Sequence, residues 1–194
     1  IDKSAARQRL RQAGVAVSDD APVIVAVARI DRPSAVRELA WMADLARIVC
    51  PGLRFLIAGG GPGLMACERF SADATEPGLN TFLGSWDDLK TLYAAADLAW
   101  CGAGRGGAPT PALEAMACGL PVLLADAPGR EHLLPPTEQA DPECRLRWDD
   151  RALWARVTKR LLNDQRLAEA IGQSNAAAVR ERHAIDTVAE AHRD

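Results

Sequence analysis

Short apolar runs alternate along the chain with longer stretches whose apolar residues recur every three or four positions. Residues 22–28 (PVIVAVA) are apolar throughout and rich in β-branched side chains, which predicts a buried strand. A helix follows over about 33–49, with Leu39, Met42, Ala46 and Val49 on one face, and Pro51-Gly52 breaks it. Residues 55–58 (FLIA) read as a second strand, followed by Gly59-Gly60-Gly61-Pro62 and a helix to about Phe70. Residues 81–83 form a short third strand. Ser85 and Asp88 have the spacing of a capping box that opens a helix to about Ala95. Residues 98–101 form the fourth strand. Thr110 as N-cap and Pro111 at the first helical position open the next helix, and Cys118-Gly119 closes it. Residues 121–125 form the fifth strand, and Leu146 sits in a short sixth. Asp150 caps a helix carrying Leu153, Val157 and Leu161, and another starts near Asp164 with Leu167 and Ile171. Residues 4–14 form a basic amphipathic helix whose cations are expected to face solvent.

Strand–helix–strand alternation in one chain implies an α/β fold with a parallel sheet covered on both faces. Right-handed crossovers make it a doubly wound, Rossmann-like domain. The expected organisation is a single domain over residues 1–194, with a lead-in linker or helix at 1–20 and C-terminal helices over 150–194. Such sheets bind ligands at the carboxyl ends of their strands. Attention therefore falls on Arg29 and on residues 59–61, 84–86, 102–110 and 126–130.

Composition changes this picture little. The chain has 194 residues, 48% hydrophobic and 25% charged, and a net charge of -3. No field of that size recruits nucleic acid or an anionic membrane by itself. No apolar run approaches the ~20 residues needed to span a bilayer. Five cysteines (Cys50, Cys67, Cys101, Cys118, Cys144) without a CxxC pair argue against a disulfide framework or a structural zinc site. They read as buried small hydrophobes in a reducing cytosol. His132, His183 and His192 are not clustered.

The candidate chemistry lies after the strands. Arg29 follows the first strand, with Arg32 three residues on, and an arginine there can grip a phosphate bidentately. Taken alone, it is equally readable as a solvated surface arginine. Gly60 and Gly61 permit close backbone approach, or simply make a tight turn. Residues 102–121 (GAGRGGAPTPALEAMACGLP) carry a glycine loop from a strand into a helix start, whose free amides suit a phosphate. Glu114, one turn inside, can accept hydrogen bonds from ribose hydroxyls, or merely face water as a helix-dipole partner.

Five segments, VIVAVARI, FLIAGGGPG, TFLGSWDDL, LYAAADLAW and LEAMACGLPVLLAD, together resemble the C-terminal half of glycosyltransferase family 4 enzymes (glycosyl transferase group 1), which have the two-domain GT-B fold. They occur in family order and spacing. The resemblance is strong over about 23–134. It implies the donor-binding domain of a retaining transferase that uses a nucleotide-diphosphate sugar and needs no metal or other cofactor. It implies Arg29 on the donor diphosphate, with Arg32 nearby, and Glu114 on the ribose. It also implies that backbone amides over 107–112, including Gly107 and Thr110, face phosphate and sugar. Gly84, Ser85 and Trp86 would lie near the base. The implied partners are a nucleotide sugar and an N-terminal acceptor domain absent from this sequence, with no nucleic acid and no membrane span. The implied location is the cytoplasm, any membrane association being carried by the missing domain. Without that domain the chain is expected to have negligible activity.

Three departures stand out. Gly106 occupies the position of the family's first motif glutamate, which lies beside the donor sugar. Ser34 stands where the family has a phosphate-binding lysine; Arg32 and Arg37 are close by, but an arginine is not a geometric copy of a lysine. Pro111 removes one amide from the helix start, while Arg105 adds charge there. These leave open a catalytically degenerate binding module. A third reading, an NAD-binding Rossmann domain, rests on Gly102-x-Gly104-x-x-Gly107 and Asp126, although that motif follows the fourth strand and not the first.

Overall fold

A computed structural model describes residues 2–31, 35–102, 110–128, 130, 133–135 and 144–184. The six strands are β1 (Val23–Val27), β2 (Arg54–Ala58), β3 (Asn80–Gly84), β4 (Leu98–Cys101), β5 (Val122–Ala125) and β6 (Arg145–Leu146). They form one parallel sheet in the order β3-β2-β1-β4-β5-β6. This is the doubly wound order, and the chain reverses its winding direction between β1 and β4.

The central strands are buried on both faces, so alternate residues feed two cores. Ile24, Ala26, Phe55, Ile57, Trp100 and Leu123 point to one face. There α2 (Val36–Val49), α3 (Leu64–Ala74) and α6 (Arg151–Asn163) cover them. Trp100 packs between Phe55 (5.5 Å) and Trp154 (5.3 Å, edge to face), and Trp148 stacks edge-on against Trp154 at 5.9 Å. Val25, Leu56, Ala99, Val122 and Leu124 point to the other face, under α1 (Lys3–Gln12), α4 (Leu89–Ala95) and α5 (Thr110–Ala117). The final helix, α7 (Gln165–Arg182), docks through Asn175, whose side-chain amide donates to Leu120 O at 2.9 Å. Among the described residues no helix is long and apolar enough to cross a membrane.

Several local expectations change. Ser85 does not cap α4: Asp88 does, accepting from Thr91 N at 3.0 Å, so the two residues form no capping box. Asp150 and Asp164 cap α6 and α7 in the same way. Thr110 and Pro111 are both helical, one position later in the turn than expected. Cys50, Cys67 and Cys144 are buried, but Cys118 is exposed, because it closes α5 in an outward-facing turn.

The largest correction concerns α1. Its cations were expected in solvent, yet the Arg7 side chain is only 3% exposed. Its Nε donates to Ala95 O (3.0 Å), Nη1 to the carbonyls of Ser18 and Asp19, and Nη2 to Asp97 Oδ2 (2.9 Å). Asp97 also accepts from Lys3 Nζ (2.7 Å) and from Val23 N (2.7 Å). One carboxylate thus ties α1, the start of β1 and the start of β4 together. Burying that guanidinium is tolerable because every nitrogen has a partner.

Candidate functional site

The strand order decides which loops meet. Because β1 and β4 are neighbours, Arg29 after β1 and α5, the helix after β4, flank the point where the winding reverses. That crevice is where open α/β sheets hold ligands. On the other side of β1, the Gly59–Gly61 turn after β2 lies against residues 28–30.

This turn is glycine for a steric reason. Gly59 adopts φ 134°, and a Cβ there would sit 1.8 Å from Ala28 O; a Cβ on Gly61 would sit 2.3 Å from Ile30 O. The close approach lets Ala28 N reach Ala58 O (3.0 Å) and Ile30 N reach Gly60 O (2.9 Å). The glycines therefore extend the β1–β2 pairing past the sheet and hold the backbone that carries Arg29. Gly60 also abuts the end of β3, with Ser85 Oγ 3.3 Å from where a Cβ would be.

Arg29 is an exposed cation of this edge, with 75% of its side chain in solvent and one hydrogen bond among the described residues, Nε to Asp31 Oδ2 at 3.2 Å. A surface pair of this kind is worth about 0–1 kcal/mol, so Asp31 holds Arg29 only weakly. Trp86, after β3, is half-buried and packs against the core on the α1–α4–α5 face, as Leu83 and Leu89 do. Its indole N–H is buried without a hydrogen-bond partner among the described residues.

Glu114 is half-buried on α5. Its Oε2 lies 3.2 Å from the Tyr93 hydroxyl, which is also 3.2 Å from Pro111 O. Burial, and next the Glu114 charge, push the Tyr93 phenol far above its ordinary ionisation range, so it remains a donor. Tyr93 was missed by motif reasoning. The available signal was that the chain's one tyrosine falls in an alanine-rich helix with a capping aspartate.

Arg130, after β5, donates from Nη1 to Gly102 O at 2.7 Å and so links the carboxyl ends of β4 and β5. Beside it, burial pushes the Cys101 thiol up to about 12, against the pull of the Arg130 guanidinium. Arg32, Ser34, Arg105, Gly106 and Gly107 lie outside the described residues, as do His132 and His192. Among the described residues no three His, Cys, Asp or Glu side chains converge as a metal site would require.

A cavity of about 540 Å³ opens at the opposite, amino edge of the sheet, beside Arg7, Asp97 and Cys118. Lys3, Arg7, Asp19 and Asp97 in its lining already serve the ion-pair web of α1.

The family profile described as glycosyl transferases group 1 matches residues 21–164. Among curated proteins no sequence matches the chain. Among solved structures, the chain is similar to sucrose-phosphate synthase from Thermosynechococcus elongatus, with TM-score 0.80 and 24% identity over 98% of this chain and 47% of that one. It is also similar to Anabaena HepE, solved in complex with UDP and glucose, with TM-score 0.80 and 19% identity over 98% of this chain and 51% of that one. The C-terminal domain of the group 1 glycosyl transferase LpcC from Francisella tularensis gives TM-score 0.73 and 18% identity, covering 95% of this chain and 99% of that domain. The chain therefore spans about half the length of the first two relatives and nearly the whole of an isolated C-terminal domain. With its sheet order, its reversal point and its matched residues in agreement, the chain belongs to the glycosyl transferases group 1 family and has the Rossmann-like fold of the C-terminal domains of GT-B glycosyltransferases.

Proposed function

We propose that this chain is the donor-binding domain of a retaining, family 4 glycosyltransferase, which moves a sugar from a nucleotide-diphosphate sugar to an acceptor held by a second, N-terminal domain. One observation carries the reading: Arg29 and the start of α5, with Glu114 one turn inside it, flank the reversal point between β1 and β4. Arg29 exchanges its weak contact with Asp31 for the donor diphosphate. The start of α5 adds backbone amides and a partial positive charge at the same place. Glu114 accepts from the ribose hydroxyls, and Trp86 lines the base pocket with its unpartnered N–H near the nucleobase. As the sugar leaves, charge accumulates on the departing diphosphate. Fixed cations and amides stabilise that charge without reorganising. Arg32 and Gly107 join this set on the family resemblance alone, and the proposed chemistry needs no metal or other cofactor.

Calorimetry with UDP-, GDP- and ADP-sugars tests the reading. One member of the panel should bind weakly, Glu114→Gln should weaken that binding, and the melting temperature should barely move. The charge of Glu114 near a helix N-terminus is worth only about 0.3–1 kcal/mol to stability. Turnover by the 194-residue chain alone should be negligible. The glycine at position 106 favours the degenerate binding module as the second reading. A folded chain that binds none of the panel, even when joined to its N-terminal domain, would establish that module instead.

A further inference from the structure

We propose that Tyr93 is a positioning residue that sets ribose selectivity by holding the Glu114 carboxylate in place; this rests on the reading of Glu114 as the ribose acceptor. Tyr93 projects from α4 and is 2% exposed. Its hydroxyl reaches Glu114 Oε2 and Pro111 O, each at 3.2 Å. A phenol has one proton to give, and the two acceptors are unequal. The Pro111 carbonyl lies in the first turn of α5, where the helix's own ladder supplies a donor from four residues on. The carboxylate is charged and is the stronger acceptor. The O–H therefore points to Oε2, leaving Oε1 as the oxygen that Tyr93 does not engage.

Packing alone does not ask for the hydroxyl. Tyr93 is followed by Ala94, Ala95 and Ala96, and its ring sits with Leu92, Ala112, Ala115 and Met116, where phenylalanine would fill the same space. A buried hydroxyl costs stability unless it is bonded, and here its polar partners are the helix start and the carboxylate. A glutamate free in solvent samples many rotamers and must be ordered when ligand binds. Held by a buried donor on a neighbouring helix, it meets the ribose already oriented, which removes that ordering cost from binding. The Glu114–Tyr93 contact also joins α4 to α5, so the distance between these helices tunes the acceptor.

The test compares UDP, GDP and ADP with their 2′,3′-dideoxy counterparts on the wild-type chain, Tyr93→Phe and Glu114→Gln, by titration followed in NMR spectra. Wild type should prefer the ribose form. Glu114→Gln should erase the preference. Tyr93→Phe should reduce it by roughly three- to tenfold, as expected for lost preorganisation, while dideoxy affinity and melting temperature hold. If Tyr93→Phe keeps the full preference while Glu114→Gln loses it, the positioning role is wrong and the ribose reading survives. If Tyr93→Phe weakens both ligand forms equally, the residue is structural and the proposal fails. If Glu114→Gln keeps the wild-type preference, or wild type shows none, the ribose reading falls and the role of Tyr93 with it.

Discussion

At the amino edge of the sheet Arg7 and Asp97 are locked into one web, while at the carboxyl edge Arg29 reaches into solvent with a single contact to Asp31. Both edges carry cations beside carboxylates, and a cavity of about 540 Å³ opens at the amino edge. The difference lies in what the polar atoms are already doing. Each nitrogen of the Arg7 guanidinium group is bonded within the chain, so that group fastens the fold and has little left for a ligand. Arg29 is weakly held and solvated, so it has everything left to offer. What separates the two edges is unspent hydrogen-bonding capacity, which the amino edge has consumed and Arg29 retains.

Breaking the amino-edge web should give the largest effect. Arg7→Ala takes the guanidinium from Asp97 and from the carbonyls of Ala95, Ser18 and Asp19, and should cost about 3–5 kcal/mol, as for other broken buried pairs. Chemical denaturation would measure it, with nucleotide affinity of the remaining folded protein unchanged. A loss below about 1 kcal/mol would make the two edges energetically alike.

Arg29→Ala should invert that outcome. Stability should stay within about 0.5 kcal/mol, as for most surface changes. Nucleoside diphosphate affinity should drop by roughly 1.5–3 kcal/mol, the worth of a hydrogen bond to a charged group. Calorimetry at two salt concentrations would check this, because the wild-type advantage should shrink as salt rises.

The smallest effect concerns alkaline pH. The folded Tyr93 phenol ionises far above the ordinary tyrosine value of about 10. A raised folded value means that its contribution to stability is fully present below the unfolded value and is lost as pH climbs beyond it. Thermal melts should therefore fall above about pH 10, and Tyr93→Phe should flatten part of that slope. An unchanged slope in the variant would mean that the alkaline fall comes from groups other than this one phenol.

Much of the carboxyl edge was legible in the sequence because local rules govern it. The triple glycine after β2 announces close backbone approach, and the structure supplies the reason in the carbonyls of Ala28 and Ile30. An aspartate before an apolar-periodic stretch announces a cap, correctly for Asp150, and the helix start read near Asp164 proves to be capped by that residue. At Ser85 the same rule fails, because Asp88 is the better-placed acceptor three residues later. The solvated face assigned to residues 4–14 also fails at Arg7: periodicity shows which side of a helix is polar, but not whether a partner waits in the interior.

The sequence by itself determined the alternation of strands and helices, the punctuating glycines and aspartates, and the family resemblance, since each depends on neighbours a few residues apart. Only the tertiary structure decided that Asp97 joins Lys3, Arg7 and Val23, contacts spanning 94, 90 and 74 residues. It also decided that Tyr93 meets Glu114 across 21 residues. Those partnerships depend on strand order, which no local period encodes. A polar group's role, as fastener or as site, is fixed by the partners that the completed sheet brings to it.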